Sequence, residues 1–269
     1  MRLAKLVDKV KKSNLALIIG VVLFLITAGI TILNGYIIVK SSYEQTIGQK
    51  NILLKSLSLL SGDVDINYFD TVLGSPVFKN VRQDDFLEYI YVNPHYYVQA
   101  VTNTTGKVIF YSVTTRDANF NPEVSFGGWD EENNRQKTVI LGKTKFSELG
   151  NQPAVYASYP GVHNHFYSEG YWTGNPGGYR SYFFSINDSG YTSEPAFLKH
   201  IPFVLASTTD FGKEDAISDL DLLNYRDTAT INTYTVTAPM VLINEIGEIE
   251  PPDGLLGPNL NQVRVLDWH

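Results

Sequence analysis

Residues 86–114 read FLEYIYVNPHYYVQAVTNTTGKVIFYSVT. The stretch is dense in Tyr, Val, Ile and Phe, side chains that suit a pleated surface, and turn chemistry cuts it twice. Asn93-Pro94 ends a strand at Phe86–Val92, and Asn103-Thr104-Thr105-Gly106 separates a second strand, Tyr96–Thr102, from a third, Lys107–Thr114. In Tyr96–Thr102 the period of two sends Tyr97, Gln99 and Val101 to one face and Tyr96, Val98 and Ala100 to the other. Both sets are largely apolar or aromatic, so this strand belongs inside a sheet that is covered on at least one side.

Working upstream, Asp63 or Asp65 caps a short helix containing Tyr68, Phe69, Val72 and Leu73. Leu73-Gly74-Ser75-Pro76 closes it, with Gly74 suited to a left-handed C′ position and Pro76 blocking continuation. Ile47, Leu54 and Leu57 recur near helical spacing and mark residues 40–62 as a helical stalk. Before the stalk, Leu15 to Val39 is a run of 25 residues without Asp, Glu, Lys, Arg or His. As a helix it is about 37 Å long, enough to cross a hydrocarbon core of about 30 Å with tilt. Arg2, Lys5, Lys9, Lys11 and Lys12 precede it against one acid, Asp8. That bias predicts a single-pass protein of the inner or plasma membrane, with residues 1–14 as a cytoplasmic tail and the bulk of the chain periplasmic or extracellular. A cleaved signal peptide would have an apolar region of about 7–15 residues and a small-x-small site after it. Here the run is longer and no Ala-x-Ala follows, so residues 15–39 read as an uncleaved signal-anchor.

Working downstream, residues 117–137 carry Asn119, Asn121, Pro122, Gly127, Gly128, Asn133 and Asn134 and read as a polar connecting loop. Residues 138–269 form a second, mainly β unit with a C-terminal extension. Its start echoes the first unit: a short helical piece, Lys145–Leu149, then Leu149-Gly150-Asn151-Gln152-Pro153, then strands at Val155–Tyr159, His163–Thr173 and Tyr179–Asn187. The fold class is therefore α+β, antiparallel sheets with short helices behind a transmembrane helix, arranged as tandem helix-β-β-β units. Two short Leu-Gly matches also arise by chance. Asp215–Tyr225 has helical spacing, Asn232–Thr237 and Met240–Ile246 read as strands, and Gln262–Leu266 reads as a closing strand.

Charge and composition exclude several classes. The net charge is −7, but residues 1–40 hold six of 21 bases and one of 28 acids, leaving the remainder at −12. Such a domain has no basic footprint for nucleic acid or for anionic lipid surfaces. The absence of cysteine excludes disulfides and thiolate metal sites. No Gly-x-Ser-x-Gly, His-Glu-x-x-His, phosphate loop or dinucleotide fingerprint occurs, and no cofactor is implied.

Residues 64–116 carry a helix ending in Leu73-Gly74-Ser75-Pro76, then Glu88-Tyr89-Ile90-Tyr91, Tyr97-Val98-Gln99-Ala100-Val101 and Gly106-Lys107-Val108. This segment resembles the units of the BamE/SmpA and β-lactamase-inhibitor-like group. That resemblance implies small helices on an antiparallel sheet and a binding role in the cell envelope. The chain departs from the lipoprotein members in having no cysteine to lipidate. As a whole it resembles bacterial single-span membrane proteins of uncharacterised activity, which implies no catalytic residue.

Two constellations stand out. His163-Asn164-His165 in a strand sends both imidazoles to one face, a start for a metal site that still needs a ligand such as Glu169, His200 or Asp210. Two histidines on a solvated strand explain the same pattern. Phe166, Tyr167, Tyr171, Trp172, Tyr179 and Arg180 cluster around Gly174-Asn175-Pro176-Gly177-Gly178, the residue types of binding hot spots and of sugar stacking. Aromatic cross-strand pairs that only stabilise a hairpin explain them equally. The leading expectation is a non-enzymatic, membrane-tethered binding or assembly module whose partner is an envelope protein or glycan. Its rivals are a metal-dependent or carboxylate hydrolase and an accessory or sensor subunit of a membrane complex.

Overall fold

The computed structural model describes residues 48–82, 85–127, 136–150, 153, 155–160, 165–174, 178–193, 207–208, 219–241 and 256–264. The chain divides into two units at Leu53/Leu54, and the sheet lies in the second. Helix α1 (Gln49–Ser58) spans that division. Among the described residues no helix is long and apolar enough to cross a membrane. The uncharged run 15–39, the tail before it and residues 40–47 of the stalk lie outside them.

The fold is α+β, built on one large antiparallel sheet with a few short helices. Helix α2 (Ile66–Leu73) begins where the Asp65 side chain accepts from Asn67 N–H, which satisfies one of the orphan donors of the first turn. It ends at Gly74, whose φ of 86° suits glycine but whose ψ of −169° is extended, not the left-handed helical C′ conformation expected from the sequence. Four strands follow, β1 (Phe78–Val81), β2 (Leu87–Val92), β3 (Tyr96–Thr102) and β4 (Val108–Thr115). β5 (Glu123–Phe126) and β6 (Lys137–Ile140) form a separate hairpin. A 3-10 turn at Phe146–Leu149 precedes β7 (Val155–Pro160), β8 (His165–Thr173) and β9 (Arg180–Asn187). The short β10 (Ser207–Thr208), α3 (Leu220–Thr228), β11 (Thr233–Thr237) and α4 (Leu260–Val263) complete the described elements.

The strand order of the large sheet is β1-β2-β3-β4-β11-β9-β8-β7-β10. Every pairing is antiparallel. The two segments that read as separate units in sequence thus form the two flanks of one sheet, joined by β11. Apart from β10, the order is symmetric about the β4/β11 boundary. β1-β2-β3-β4 on one side matches β7-β8-β9-β11 on the other, in direction as well as in order. Each half opens with a helical turn that ends in Leu-Gly, and Gly74 and Gly150 share an extended, positive-φ conformation.

Helices α2 and α3 and the 3-10 turn lie on one face of the sheet, and α4 on the other. Phe69 of α2 packs edge-on to Tyr111 at 5.6 Å and against Tyr91 at 6.3 Å. In the other half Phe146 meets Tyr167 at 4.8 Å, and the β5–β6 hairpin covers the same face through Phe126, 4.7 Å from Phe184. On the opposite face Leu256 packs with Val101, Phe110 and Phe183, and Val263 with Ile90 and Tyr97.

Three local readings are corrected. The stretch 117–137 contains β5, because Phe126 is buried on the sheet; four residues are too few for a visible period. Met240 is not the start of a strand but a turn residue with φ of 65°, whose N–H donates to Tyr179 C=O at 2.7 Å. Gln262 and Val263 lie in helix α4, not in a closing strand. Asn259 caps that helix, and the pocket formed by Ile90 and Tyr97 takes Val263 on helical geometry. The rest of the Met240–Ile246 and Gln262–Leu266 readings lies largely outside the described residues.

Candidate functional site

Strand alternation splits the aromatic hairpin between the two faces of the sheet. Tyr167, Glu169 and Tyr171 point to the helix-bearing face and are buried. Phe166 and Trp172 alternate with them and point to the other face, where both are part-buried. Trp172 stacks on Tyr179 at 5.9 Å and 13°, near the end of β8. Arg180 is also part-buried. The six residues do not converge on one surface: the period of two that places them in a strand also separates them.

Glu169 is the centre of the helix-side group. Its Oε1 accepts from Arg226 Nε at 2.6 Å and from the Tyr167 hydroxyl at 2.5 Å, and its Oε2 from the Tyr171 hydroxyl at 2.7 Å. Both charged side chains are fully buried. Arg226 Nη2 donates to the Phe146 C=O at 3.1 Å and to the Gly150 C=O, so helix α3 is tied to the 3-10 turn as well as to β8. Burial works against the charge of Arg226, but the hydrogen bond and the charge of Glu169 outweigh it and hold the guanidinium above its ordinary value. Burial, followed by the Glu169 charge and hydrogen bond, holds the Tyr167 and Tyr171 phenols far above theirs. Arg226 Nη2 also reaches Glu169 Oε2 at 3.2 Å, so four donors converge on one carboxylate, which leaves it poorly placed as a metal ligand or a base. Tyr225 packs edge-on to Tyr167 at 5.2 Å, and among the described residues its buried hydroxyl has no hydrogen-bond partner.

A second polar group lies on the opposite face. Glu88 on β2 accepts from Arg82 Nη2 at 2.5 Å, Gln99 Nε2 at 2.6 Å and Asn80 Nδ2 at 2.8 Å. From Gln99 the polar character continues across the sheet. Ser112 donates to Gln99 Oε1 at 3.3 Å and lies 2.6 Å from the Thr235 hydroxyl. One register step away, Thr114, Thr233, Ser185 and Ser168 stand opposite one another on β4, β11, β9 and β8. The Thr114–Thr233 and Ser185–Ser168 hydroxyls are each 2.8 Å apart. Glu88, Gln99 and these Ser and Thr side chains are all buried.

Of the metal pair, His163 lies outside the described residues, as do the ligand candidates His200 and Asp210; His165 opens β8. Among the described residues no group of three or more His, Asp or Glu is placed to hold a metal ion. Compared with protein-family models, curated proteins and solved structures, the chain matches none. Sequence reading missed Arg226, the hydroxyl ladder and the seat of Leu256. Only Gln99 and Ser112, polar residues within apolar strands, carried a local signal.

Proposed function

We propose that the protein is a binding or assembly module of the cell envelope, held at the inner or plasma membrane by residues 15–39 and displayed outside the cytoplasm. The uncharged run with its basic flank carries this reading. The burial of Glu169 and Glu88 in pairs with Arg226 and Arg82 supports a rigid scaffold rather than a reaction centre. The two halves of the sheet are tandem copies of one unit, the helix-β-β-β read from the sequence with a fourth strand added, and residues 64–116 of the first copy resemble the BamE/SmpA-like kind. Support comes from the symmetric strand order, the shared Leu-Gly conformation, and the seat of Phe69 and Phe146 each on a tyrosine of the second strand of its half. The partner is an envelope protein or a glycan, and the Trp172–Tyr179 stack is the nominated contact. Protease added to intact spheroplasts should digest the sheet domain and leave a membrane-bound N-terminal fragment. Full protection until lysis would overturn the topology. Pull-down in mild detergent should then recover one partner at a fixed ratio, and loss of that partner on deletion of 1–39 alone would instead mark an accessory subunit that associates through its helix.

A further inference from the structure

The opposite face of the sheet, where the hydroxyl ladder lies, is covered by the described segment Leu256–Arg264. The contact is made by main chain and by two spaced apolar anchors. Gly257 N–H donates to Gln99 Oε1 at 2.8 Å, and Leu256 C=O accepts from Asn187 Nδ2 at 3.2 Å. The backbone comes so close that a Cβ on Gly257 would meet Asn187 Nδ2 at 2.7 Å and Thr114 Oγ1 at 3.0 Å, and its φ of 104° already favours glycine. Leu256 sits among Val101, Phe110 and Phe183; Val263, one helical element later, sits on Ile90 and Tyr97. Two main-chain hydrogen bonds to sheet side chains, flanked by two apolar seats, hold a short piece of chain that runs into helix α4, and spaced apolar seats of this kind are how folded domains read peptide anchors.

Gln99, Asn187 and Thr114 lie beside Gly257, and from Thr114 a row of buried hydroxyls runs on across the sheet. Thr114, Thr233, Ser185, Ser168, Ser112 and Thr235 pair their hydroxyls among themselves. Each hydroxyl has two acceptor sites and one donor, so the pairs keep capacity for water. The hydroxyl part of this floor can therefore take up water when it is uncovered, while the apolar seats of Leu256 and Val263 hold the segment in place at rest. We propose that this face is a peptide-recognition cleft whose resting occupant is the chain's own segment Leu256–Arg264, a strap that gives way to an incoming segment with the same apolar–Gly–Pro pattern. The inference does not depend on the membrane anchor.

Native-state hydrogen exchange on the full chain tests the first half. The Gly257 amide should exchange at least about 100-fold faster than the amides of Ser112 and Thr114, because the strap opens without the sheet. Equal rates would overturn the proposal. A full-length Leu256→Asp/Val263→Asp variant tests the second half. It should keep a β-rich, cooperatively unfolding domain and bind a synthetic peptide of residues 256–264 that wild type does not bind. The same peptide carrying Gly257→Val should bind the variant at least about tenfold more weakly. A variant that loses its β spectrum, or folds but ignores the peptide, shows the strap to be ordinary core and overturns the proposal.

Discussion

At the residue scale, Glu169 and Arg226 dominate the helix-bearing face. Two fully buried opposite charges cost several kcal/mol of desolvation each, which their mutual attraction and surrounding hydrogen bonds offset. Removing one partner strands the other. Arg226→Met should therefore destabilise the domain by about 3–5 kcal/mol in urea unfolding. Adding Glu169→Gln should recover at least about 1 kcal/mol, since the neutral amide no longer needs a cation and still accepts from one phenol. A double variant weaker than the single would show that Glu169 stabilises the fold without Arg226. Trp172 is a different case. It is part-buried and stacks on Tyr179, so Trp172→Ala should cost roughly 1–2 kcal/mol, less than the roughly 3–5 kcal/mol of a fully buried aromatic such as Tyr167. Thermal melts of Trp172→Ala and Tyr167→Ala, run beside a partner pull-down, separate support of the hairpin from recognition. Retained binding with a large fall in Tm would remove Trp172 from the nominated contact.

At the element scale, β11 is the keystone. Its five residues are all buried, and it pairs with β4 on one side and β9 on the other. A proline there removes a ladder donor and forces its ring into a strand with no free edge. Thr235→Pro should abolish cooperative unfolding and yield aggregated protein by size exclusion. A folded Thr235→Pro monomer would mean that the two halves are stable apart. The outer strand β1 offers a contrast. Among the described residues it pairs only with β2, and its exposed Val81 and Lys79 alternate with part-buried Phe78 and Asn80. Short length and an outward lysine are ordinary ways of blunting a sheet edge.

At the scale of the whole molecule, buried phenols set the response to alkali. Burial first, with Glu169 added at Tyr167 and Tyr171, raises Tyr111, Tyr167, Tyr171, Tyr225 and Tyr234 above the ordinary value of 10.0. Below that value both folded and unfolded chains hold these protons, and the contribution to stability is fully present. Above it the unfolded chain releases protons that the folded chain keeps, so stability falls by about 1.4 kcal/mol per pH unit for each such tyrosine. Urea midpoints should be flat in this respect up to about pH 10 and drop steeply beyond it, with phenolate absorbance rising together with unfolding. Phenolate absorbance that rises fully while the domain stays folded would contradict the burial of these groups.

The strands Leu87–Val92, Tyr96–Thr102 and Val108–Thr115, a helix cap at Asp63 or Asp65, of which the structure takes Asp65, and the stop at Gly74 were legible in the sequence to within a residue or two. Each rests on interactions among neighbours in the chain: the period of two, turn residues and caps. The candidate binding residues were legible as types but not as a site, because composition names Tyr and Trp without saying which face of the sheet each joins. Tertiary structure alone decided that β11 separates the two meanders, that Arg226 meets Glu169 across 57 positions, and that Gly257 reaches Gln99 across 158. Such contacts form only when burial summed over the whole sheet outweighs the entropy of closing long loops, and no short stretch of sequence carries that sum.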